Sequence, residues 1–210
     1  RSEKKAAEAC AGFGDEATPV ACDLAEPETV RAAVATVAAL DRPLDVLMCN
    51  AGIMALPQRE LVCGHERQFF TNHIGHFMLV TGLLHRLSEA GRVVVLSSAA
   101  HKWAPSGGIA FDDLTLADSY SPNSAYGQSK LANLLFARAL AKRLPKPKQS
   151  ANALHPGVIA TNLSRHMNPV INAVMPIVSA IAMKSIPQGA ATQCYVAVHP
   201  EMRENGAYFA

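Results

Sequence analysis

Apolar and polar residues alternate along the 210-residue chain in blocks that predict strands and helices in turn. Leu44–Cys49 is almost wholly apolar, which is typical of a strand buried on both faces. Arg92–Leu96 and Gln149–Leu154 predict two more buried strands, and Thr18–Ala21 predicts a short one. A last strand is expected at the end of the chain, over Ala207–Ala210.

Apolar residues at helical spacing occupy the intervals between these strands. The predicted helices are Ser2–Ala11, Glu26–Leu40, Leu61–Leu87, Asn123–Leu144 and Gln188–Val198. Strands alternating with helices indicate an α/β fold with a doubly wound, Rossmann-like parallel sheet, in one domain over residues 1–210. Right-handed crossovers then bring the carboxyl ends of the strands to one rim, where ligands bind in such sheets.

Composition narrows the function classes. Half of the residues are hydrophobic and 17% are charged, as in a globular protein, and a formal net charge of +2 is too small to favour nucleic acid. The five cysteines form no CxxC pair, so we expect a reducing intracellular compartment and neither a zinc module nor a disulfide framework. His73 and His76 lack the carboxylate pattern of a metal site. No run reaches the roughly 18 to 20 apolar residues that a membrane span needs.

Tyr126 and Lys130 are four residues apart, which places both side chains on one face of the predicted helix. An ammonium beside a phenol favours the phenolate, so we expect Lys130 to lower the pKa of Tyr126 and prepare it for proton transfer. The pair alone is also compatible with an ordinary helix face. Four strand ends carry the other candidate groups, namely Asp23, Asn50-Ala51-Gly52, Ser97-Ser98 and Pro156-Gly157.

In combination, these residues resemble the short-chain dehydrogenase/reductase family. The segments around Asn72, Lys130 and His155 look most like its retinol-dehydrogenase-like branch. The matches extend over nearly the whole chain and comprise Asp23-Leu24, Asn50-Ala51-Gly52, Asn72, Ser98, Tyr126-xxx-Lys130 and Pro156-Gly157-Val158 with Thr161.

The resemblance implies reversible hydride transfer between a nicotinamide and a carbonyl or alcohol carbon. Tyr126 would exchange a proton with the substrate oxygen, and Ser98 would donate a hydrogen bond to that oxygen. Lys130 would lower the pKa of Tyr126 and bind the nicotinamide ribose, and Asn72 would hold a water that links Lys130 to solvent. Ser98 is preferred to Ser97 because it matches the family's serine and because neighbouring strand side chains point to opposite faces.

The resemblance also implies the cofactor contacts. Asp23 would accept a hydrogen bond from the adenine amino group beside the Leu24 backbone, and Asn50-Ala51-Gly52 would let a flat sugar approach the backbone. Pro156-Gly157-Val158 would present backbone groups to the carboxamide, together with the Thr161 hydroxyl. Purely structural interpretations stay open: Asp23 as a helix N-cap, Asn72 as a polar residue bonding its own helix, and Ser98 as a strand-end cap.

Arg1 aligns with the arginine that binds the 2′-phosphate of NADP in this family, so NADP is favoured and NAD stays open. The family's glycine-rich phosphate turn would lie about thirty residues before Arg1, with its strand and helix. We therefore expect residues 1–210 to be a fragment that lacks the first strand-helix-strand unit, is also cut at the C-terminus, and is inactive and poorly stable alone. Anchors in this branch precede that unit, so both a cytoplasmic and a membrane-associated protein stay open.

The apolar segment Leu163–Ile186 is expected to cover the active site and to favour a lipophilic carbonyl or alcohol, such as a retinoid, steroid or fatty aldehyde. Core packing or a subunit contact is the alternative for this segment. A homodimer through the helices Leu61–Leu87 and Asn123–Leu144 is expected by analogy. The rival function is a non-catalytic nucleotide-binding adaptor on the same fold, which has no chemical need for all four groups of Asn72, Ser98, Tyr126 and Lys130.

Overall fold

The computed structural model describes residues 2–159 and 184–210. Its helices are α1 (Glu3–Cys10), α2 (Pro27–Ala38), α3 (Arg67–Phe69), α4 (Gly75–Leu83), α5 (Pro122–Ala141) and α6 (Ile186–Val198). Its strands are β1 (Leu44–Cys49), β2 (Leu61–Val62), β3 (His65–Glu66), β4 (Leu87–Leu96), β5 (Ser150–Leu154) and β6 (Tyr208–Phe209). Arg1, Thr161 and nearly all of Leu163–Ile186 lie outside the described residues.

The main sheet has the strand order β1-β4-β5-β6, and every described pair in it is parallel. The register places Cys49 beside Val95 and Leu96 beside Leu154, so the strands end at nearly the same height. The predicted rim of carboxyl ends is therefore present, and the segments that follow β1, β4 and β5 all start from it.

Both faces of the sheet are covered by helices, as a doubly wound fold requires. On one face, Val93 and Val95 of β4 pack with Val80 of α4 and with Ala137 and Leu140 of α5. The opposite face joins β4 and β5 to α6 through a second cluster, which comprises Val94, Leu96, Leu154, Val196, Ala197 and Met202. The predicted α/β class is confirmed.

The predicted strand Thr18–Ala21 is wrong, because residues 17–23 are irregular and no described strand lies beside them to complete a ladder. The expectation that β1 is buried on both faces is also wrong. Asp45 is exposed and Met48 is 36% exposed, since β4 is the only described strand that pairs with β1. An apolar pattern predicts a preference for burial, but a neighbouring element has to supply the cover.

The predicted helix Leu61–Leu87 is wrong over its first six residues and one residue too long at its end. It begins as an antiparallel hairpin of β2 and β3, whose two turn residues, Cys63 and Gly64, have φ of +47° and +78°. Two consecutive positive φ values are typical of the tightest hairpin turn, and they stop a helix. Helical structure then runs from Arg67 to Arg86, with one π-helical turn at Phe70–Ile74 and a 3₁₀ turn at Leu84–Arg86, and Leu87 starts β4.

Among residues 2–159 and 184–210, no helix is long and apolar enough to cross a membrane.

Candidate active site

Helix α5 carries Tyr126 and Lys130, and it buries both of them. Pro122 starts the helix, where its missing N–H costs nothing and its fixed φ suits the first turn. The Lys130 Nζ lies 5.6 Å from the centre of the Tyr126 ring. It also donates a hydrogen bond of 3.1 Å to the Leu96 carbonyl at the end of β4. The two side chains share one face, as their spacing predicts.

Burial sets the electrostatics of Lys130. Loss of water lowers the pKa of Lys130 to about 8, and the nearby Cys49 thiol opposes this change. Burial also raises the pKa of Cys49 to about 12, so this thiol stays protonated at neutral pH. Lys130 is therefore mostly charged at pH 7, although its ammonium is much easier to deprotonate than an exposed one.

The expected lowering of the Tyr126 pKa by Lys130 is not observed. Burial raises the pKa of Tyr126 to about 12, and a hydrogen bond with the Ser98 side chain opposes this rise. The removal of water disfavours the phenolate more strongly than the neighbouring groups favour it. Tyr126 thus holds its proton firmly in this structure.

The two serines at the end of β4 point in different directions. Ser97 Oγ donates a hydrogen bond of 2.7 Å to the Lys130 carbonyl, so it fastens β4 to α5. Ser98 instead interacts with Tyr126, and its hydroxyl accepts a 3.2 Å hydrogen bond from the Ala100 N–H. Ser98 is therefore both the cap of the short 3₁₀ helix Ala99–Trp103 and the serine beside the candidate tyrosine.

Asn72 lies in the π-helical turn and is fully buried. Its Nδ2 donates to the Ile53 carbonyl and to Ser129 Oγ, each at 2.9 Å, and its Oδ1 accepts from the Ile53 N–H at 2.8 Å. The Asn72 carbonyl accepts a 2.8 Å hydrogen bond from Nδ1 of His76. The side chain thus holds the segment after β1 rather than its own helix, and the expected water relay stays a prediction.

The segment Asn50-Ala51-Gly52 follows β1 at the rim, with Asn50 and Ala51 exposed. A Cβ added to Gly52 would lie 3.2 Å from Asn72 Oδ1 and 3.7 Å from Lys130 Nζ. The absence of a side chain at Gly52 therefore relieves a close approach to Asn72 and leaves a small space beside the lysine. Of the three ammonium protons, one is used by the Leu96 carbonyl, the only acceptor described for Nζ in residues 2–159 and 184–210. The Lys130 ammonium beside this glycine backbone can donate hydrogen bonds to the hydroxyl groups of a ligand.

Asp23 and Leu24 occupy the predicted place before α2. The Asp23 Oδ1 accepts from the Ala25 N–H at 3.0 Å, which makes a local turn, whereas the N-cap position of α2 is Glu26. The alternative of Asp23 as that helix's N-cap is therefore wrong. Leu24 is buried against α4, where a Cβ added to Gly75 would lie 2.8 Å from the Leu24 Cβ.

Pro156-Gly157-Val158 follows β5 at the same rim, and Gly157 adopts a φ of +91° that favours glycine. A Cβ added to Gly157 would meet the Lys184 side chain at 2.6 Å. His155 lies next to this turn. Burial, together with Lys184 and His101, lowers the pKa of His155, so its ring is neutral at pH 7.

The structure adds residues that the sequence reasoning missed. Ser129 accepts from Asn72 and donates to the Tyr126 carbonyl at 2.7 Å, and His76 sits behind Asn72 with its pKa lowered to about 4, chiefly by burial. Gln68 and Tyr120 hold the segment after Gly52. The spacing of four between Gln68, Asn72 and His76 is a signal that could have identified one polar face of this helical run.

Comparisons with known proteins agree with this geometry. The profile of a family described as enoyl-(acyl carrier protein) reductase matches residues 1–197. Short-chain dehydrogenase TIC 32 A, chloroplastic, of Brassica napus is 44% identical over 198 residues, which are 90% of this chain and 62% of that protein. Retinol dehydrogenase 14 of Homo sapiens is 41% identical over 192 residues, which are 89% of this chain and 56% of that protein.

A solved structure has a similar fold. The blue fluorescent protein from a metagenomic library, in complex with NADPH, has a TM-score of 0.68 and 23% identity. The match covers 90% of this chain and 72% of that one. The chain spans about 60% of the length of the two relatives named above, at 62% and 56%.

Proposed function

The chain belongs to the retinol-dehydrogenase-like branch of the short-chain dehydrogenase/reductase family, and on that premise we propose that it transfers a hydride between NADP(H) and an apolar carbonyl or alcohol. One arrangement carries this proposal. Tyr126 interacts with Ser98 while the Lys130 ammonium lies 5.6 Å from the centre of its ring, at the rim where the strands end.

Tyr126 is suited to act as the acid in the direction of carbonyl reduction. With a pKa of about 12 it carries its proton at neutral pH, and it can pass that proton to an oxygen that gains negative charge. The Ser98 hydroxyl would donate a hydrogen bond to the same oxygen and hold it in place. The nicotinamide, when bound, supplies the hydride.

Lys130 would help to return a proton to Tyr126 after it has acted as the acid, and it would orient the cofactor. Its Nζ is fixed on the Leu96 carbonyl, and its pKa of about 8 leaves it charged at neutral pH. A charge on Nζ would also stabilise a tyrosinate during the reverse reaction, in which Tyr126 has to accept a proton. Asn72 would hold a water that links Lys130 to solvent, beside its contacts with Ile53.

The cofactor-binding groups are proposed from their places along the rim. Asp23 and Leu24 would meet the adenine, Asn50-Ala51-Gly52 the sugar, and Pro156-Gly157-Val158 with Thr161 the carboxamide. NADP is preferred to NAD because Arg1 aligns with a phosphate-binding arginine, and the solved protein of similar fold holds NADPH.

An apolar substrate is proposed on two grounds. Leu163–Ile186 is rich in Val, Ile, Met and Ala, and one relative is named for retinol, an apolar alcohol.

Association into a homodimer belongs to the same proposal, since Phe77 of α4 and Leu135 of α5 expose 44% and 46% of their surface. Analytical ultracentrifugation of the complete protein tests the homodimer, and a purely monomeric species contradicts it.

The test of the reaction uses the complete protein with NADPH and a panel of apolar aldehydes. Tyr126→Phe is expected to lower kcat by roughly 10²- to 10⁴-fold, because it removes the acid, and to leave the NADPH Kd unchanged. The matched control is Tyr195→Phe, which removes the same hydroxyl from an exposed position on α6. The control is expected to keep full turnover.

The outcomes separate the two function classes. Turnover that survives Tyr126→Phe would contradict the assignment of Tyr126 as the acid. Tight NADPH binding with no oxidation of NADPH by any substrate favours the nucleotide-binding adaptor instead.

A further inference from the structure

Residues 50–56 form an irregular segment after β1, named here the β1 loop. Three buried or half-buried side chains hold its backbone. Asn72 exchanges two hydrogen bonds with Ile53, as described above. The Gln68 Oε1 accepts from the Ala55 N–H at 2.7 Å, and the Tyr120 hydroxyl donates to the Leu56 carbonyl at 2.6 Å. The loop is thus fixed by side chains rather than by a ladder or a helix.

Gln68 also reaches the helix that carries the candidate tyrosine and lysine. Its Nε2 donates to the Pro122 carbonyl at 3.2 Å and lies 3.5 Å from the Tyr120 hydroxyl. Pro122 is the first residue of α5. The Gln68 carboxamide therefore connects two elements. Its oxygen accepts a hydrogen bond from the β1 loop, and its nitrogen donates one to the start of α5.

The loop conformation depends on these contacts. Ala55 has a φ of +53°, in the left-handed region that an L-residue with a Cβ rarely adopts. Gln68 is fully buried and its Oε1 is the acceptor of the Ala55 N–H, so removal of the carboxamide leaves this N–H without its acceptor inside the protein. Burial raises the pKa of Tyr120 to about 12, so its hydroxyl keeps the proton that it donates to Leu56.

The position of the loop matters because it forms one wall around Lys130. A Cβ on Gly52 would lie 3.7 Å from the lysine Nζ, which is an ordinary contact distance, so the loop at Gly52 borders the ammonium with room for one small group between them. A loop that moves away from α5 widens this contact and shifts Asn50-Ala51-Gly52 relative to Tyr126 and Lys130.

We propose that Gln68, supported by Tyr120, is a positioning residue that sets the distance between the β1 loop and α5 and so shapes the nicotinamide-ribose site. The inference rests on the proposed function, because it assigns the loop to a dinucleotide. Gln68 touches neither of the candidate reacting groups in the described contacts and acts through the loop.

The test compares Gln68→Met with Gln149→Met in the complete protein. Gln149 is a matched control, since it is also buried, its Oε1 accepts from the Lys146 N–H at 3.3 Å, and its Nε2 donates to the Ser88 carbonyl at 2.9 Å. It lies at the opposite end of the sheet from the rim. Both variants lose a similar set of hydrogen bonds, and both are expected to lower Tm by a similar amount.

NADPH binding and amide hydrogen exchange then distinguish the two positions. Gln68→Met is expected to raise the NADPH Kd about tenfold, as the loss of one well-placed hydrogen-bonded contact would. It should also speed exchange across residues 50–56 in the protein without NADPH. Gln149→Met should change neither. Equal NADPH Kd values for the two variants overturn the inference, whatever their Tm.

Tyr120→Phe provides a milder second variant, because it removes only the hydroxyl that holds Leu56. It is expected to raise the NADPH Kd in the same direction and by less. If Gln68→Met does not fold, an unchanged Kd in Tyr120→Phe contradicts the inference by itself.

The unmodified protein separates the failure of this inference from the failure of the proposed function. If it does not bind NADPH, both are overturned. If it binds NADPH and the Kd values of Gln68→Met and Gln149→Met are equal, only the inference is overturned.

Discussion

Glu66 shows how one buried residue can make stability depend on pH. Its side chain is fully buried at the start of α3, where Oε2 accepts from the Phe69 N–H at 2.8 Å. Within the described parts of the chain, its Oε1 has no hydrogen-bond partner. Burial raises the pKa of Glu66, the hydrogen bonds from Gln68 and Phe69 oppose this rise, and the nearby Glu60 carboxylate adds to it, so the folded protein binds this proton more tightly than the unfolded chain does.

Glu66→Gln is expected to remove this pH dependence. When the pKa of a group is higher in the folded than in the unfolded state, the bound proton contributes to stability. This contribution is complete below the ordinary glutamate pKa, and it is lost as pH rises through the pKa of the folded state. As pH rises through this range, the free energy of unfolding of the unmodified protein should therefore fall relative to that of Glu66→Gln, by at most about 1.4 kcal/mol per pH unit. Urea unfolding at several pH values measures this difference. Glu8→Gln on the exposed surface of α1 is the control, and a difference independent of pH contradicts the prediction.

At the scale of elements, Gly127 allows the turn after β4 to lie against α5. A Cβ at this position would lie 2.6 Å from the Trp103 carbonyl carbon and 2.7 Å from the Ala100 oxygen. These are backbone atoms of the 3₁₀ helix that Ser98 caps. The absence of a side chain at Gly127 therefore keeps Ser98 close to Tyr126, the residue next to it on α5.

Gly127→Ala is expected to separate these two elements. The gain in helix propensity of about 1 kcal/mol is outweighed by overpacking of backbone, which typically costs about 1–3 kcal/mol or more. We expect lower free energy of unfolding and lower turnover. Gly12→Ala is the control, because a Cβ there has no atom within 4 Å. A Gly127→Ala protein as stable as the control would show that the turn can move without cost.

At the scale of the whole molecule, packing is uneven. Val93, Val94 and Val95 at the centre of β4 are completely buried, with helices on both sides of the sheet. In contrast, α1 buries none of its residues, and β1 leaves Met48 partly exposed. Elements with few buried contacts open at low free energy, whereas a central strand opens only with the whole domain.

Amide hydrogen exchange of the 210-residue chain is expected to reproduce this gradient. The amides of Val93–Val95 should exchange at the rate set by global unfolding, and those of Glu3–Cys10 should exchange with opening free energies near zero. Mass spectrometry of peptides from the two segments measures the difference. Equal protection in α1 and β4 would contradict it.

Residue patterns along the chain were sufficient to predict the class of fold and to bring the candidate site residues to one rim of the sheet. Apolar runs and helical spacing predicted β5, α2, α5 and α6 within a few residues, and they predicted the second half of β4, because these parts are buried in the way that their patterns require. The spacing of Tyr126 and Lys130 placed them on one face, and strand alternation separated Ser98 from Ser97, since both follow from backbone geometry alone.

Features that depend on neighbours distant in sequence became visible with the assembled fold. The direction of the Tyr126 pKa change follows from how much water the fold removes, which local spacing does not contain. The partners of Asn72 and Gln68 lie on a loop and a helix that the fold brings to them, and the exposure of β1 depends on which strands lie beside it. A pattern of residues fixes local conformation, whereas desolvation and long-range hydrogen bonds exist only once the elements are assembled.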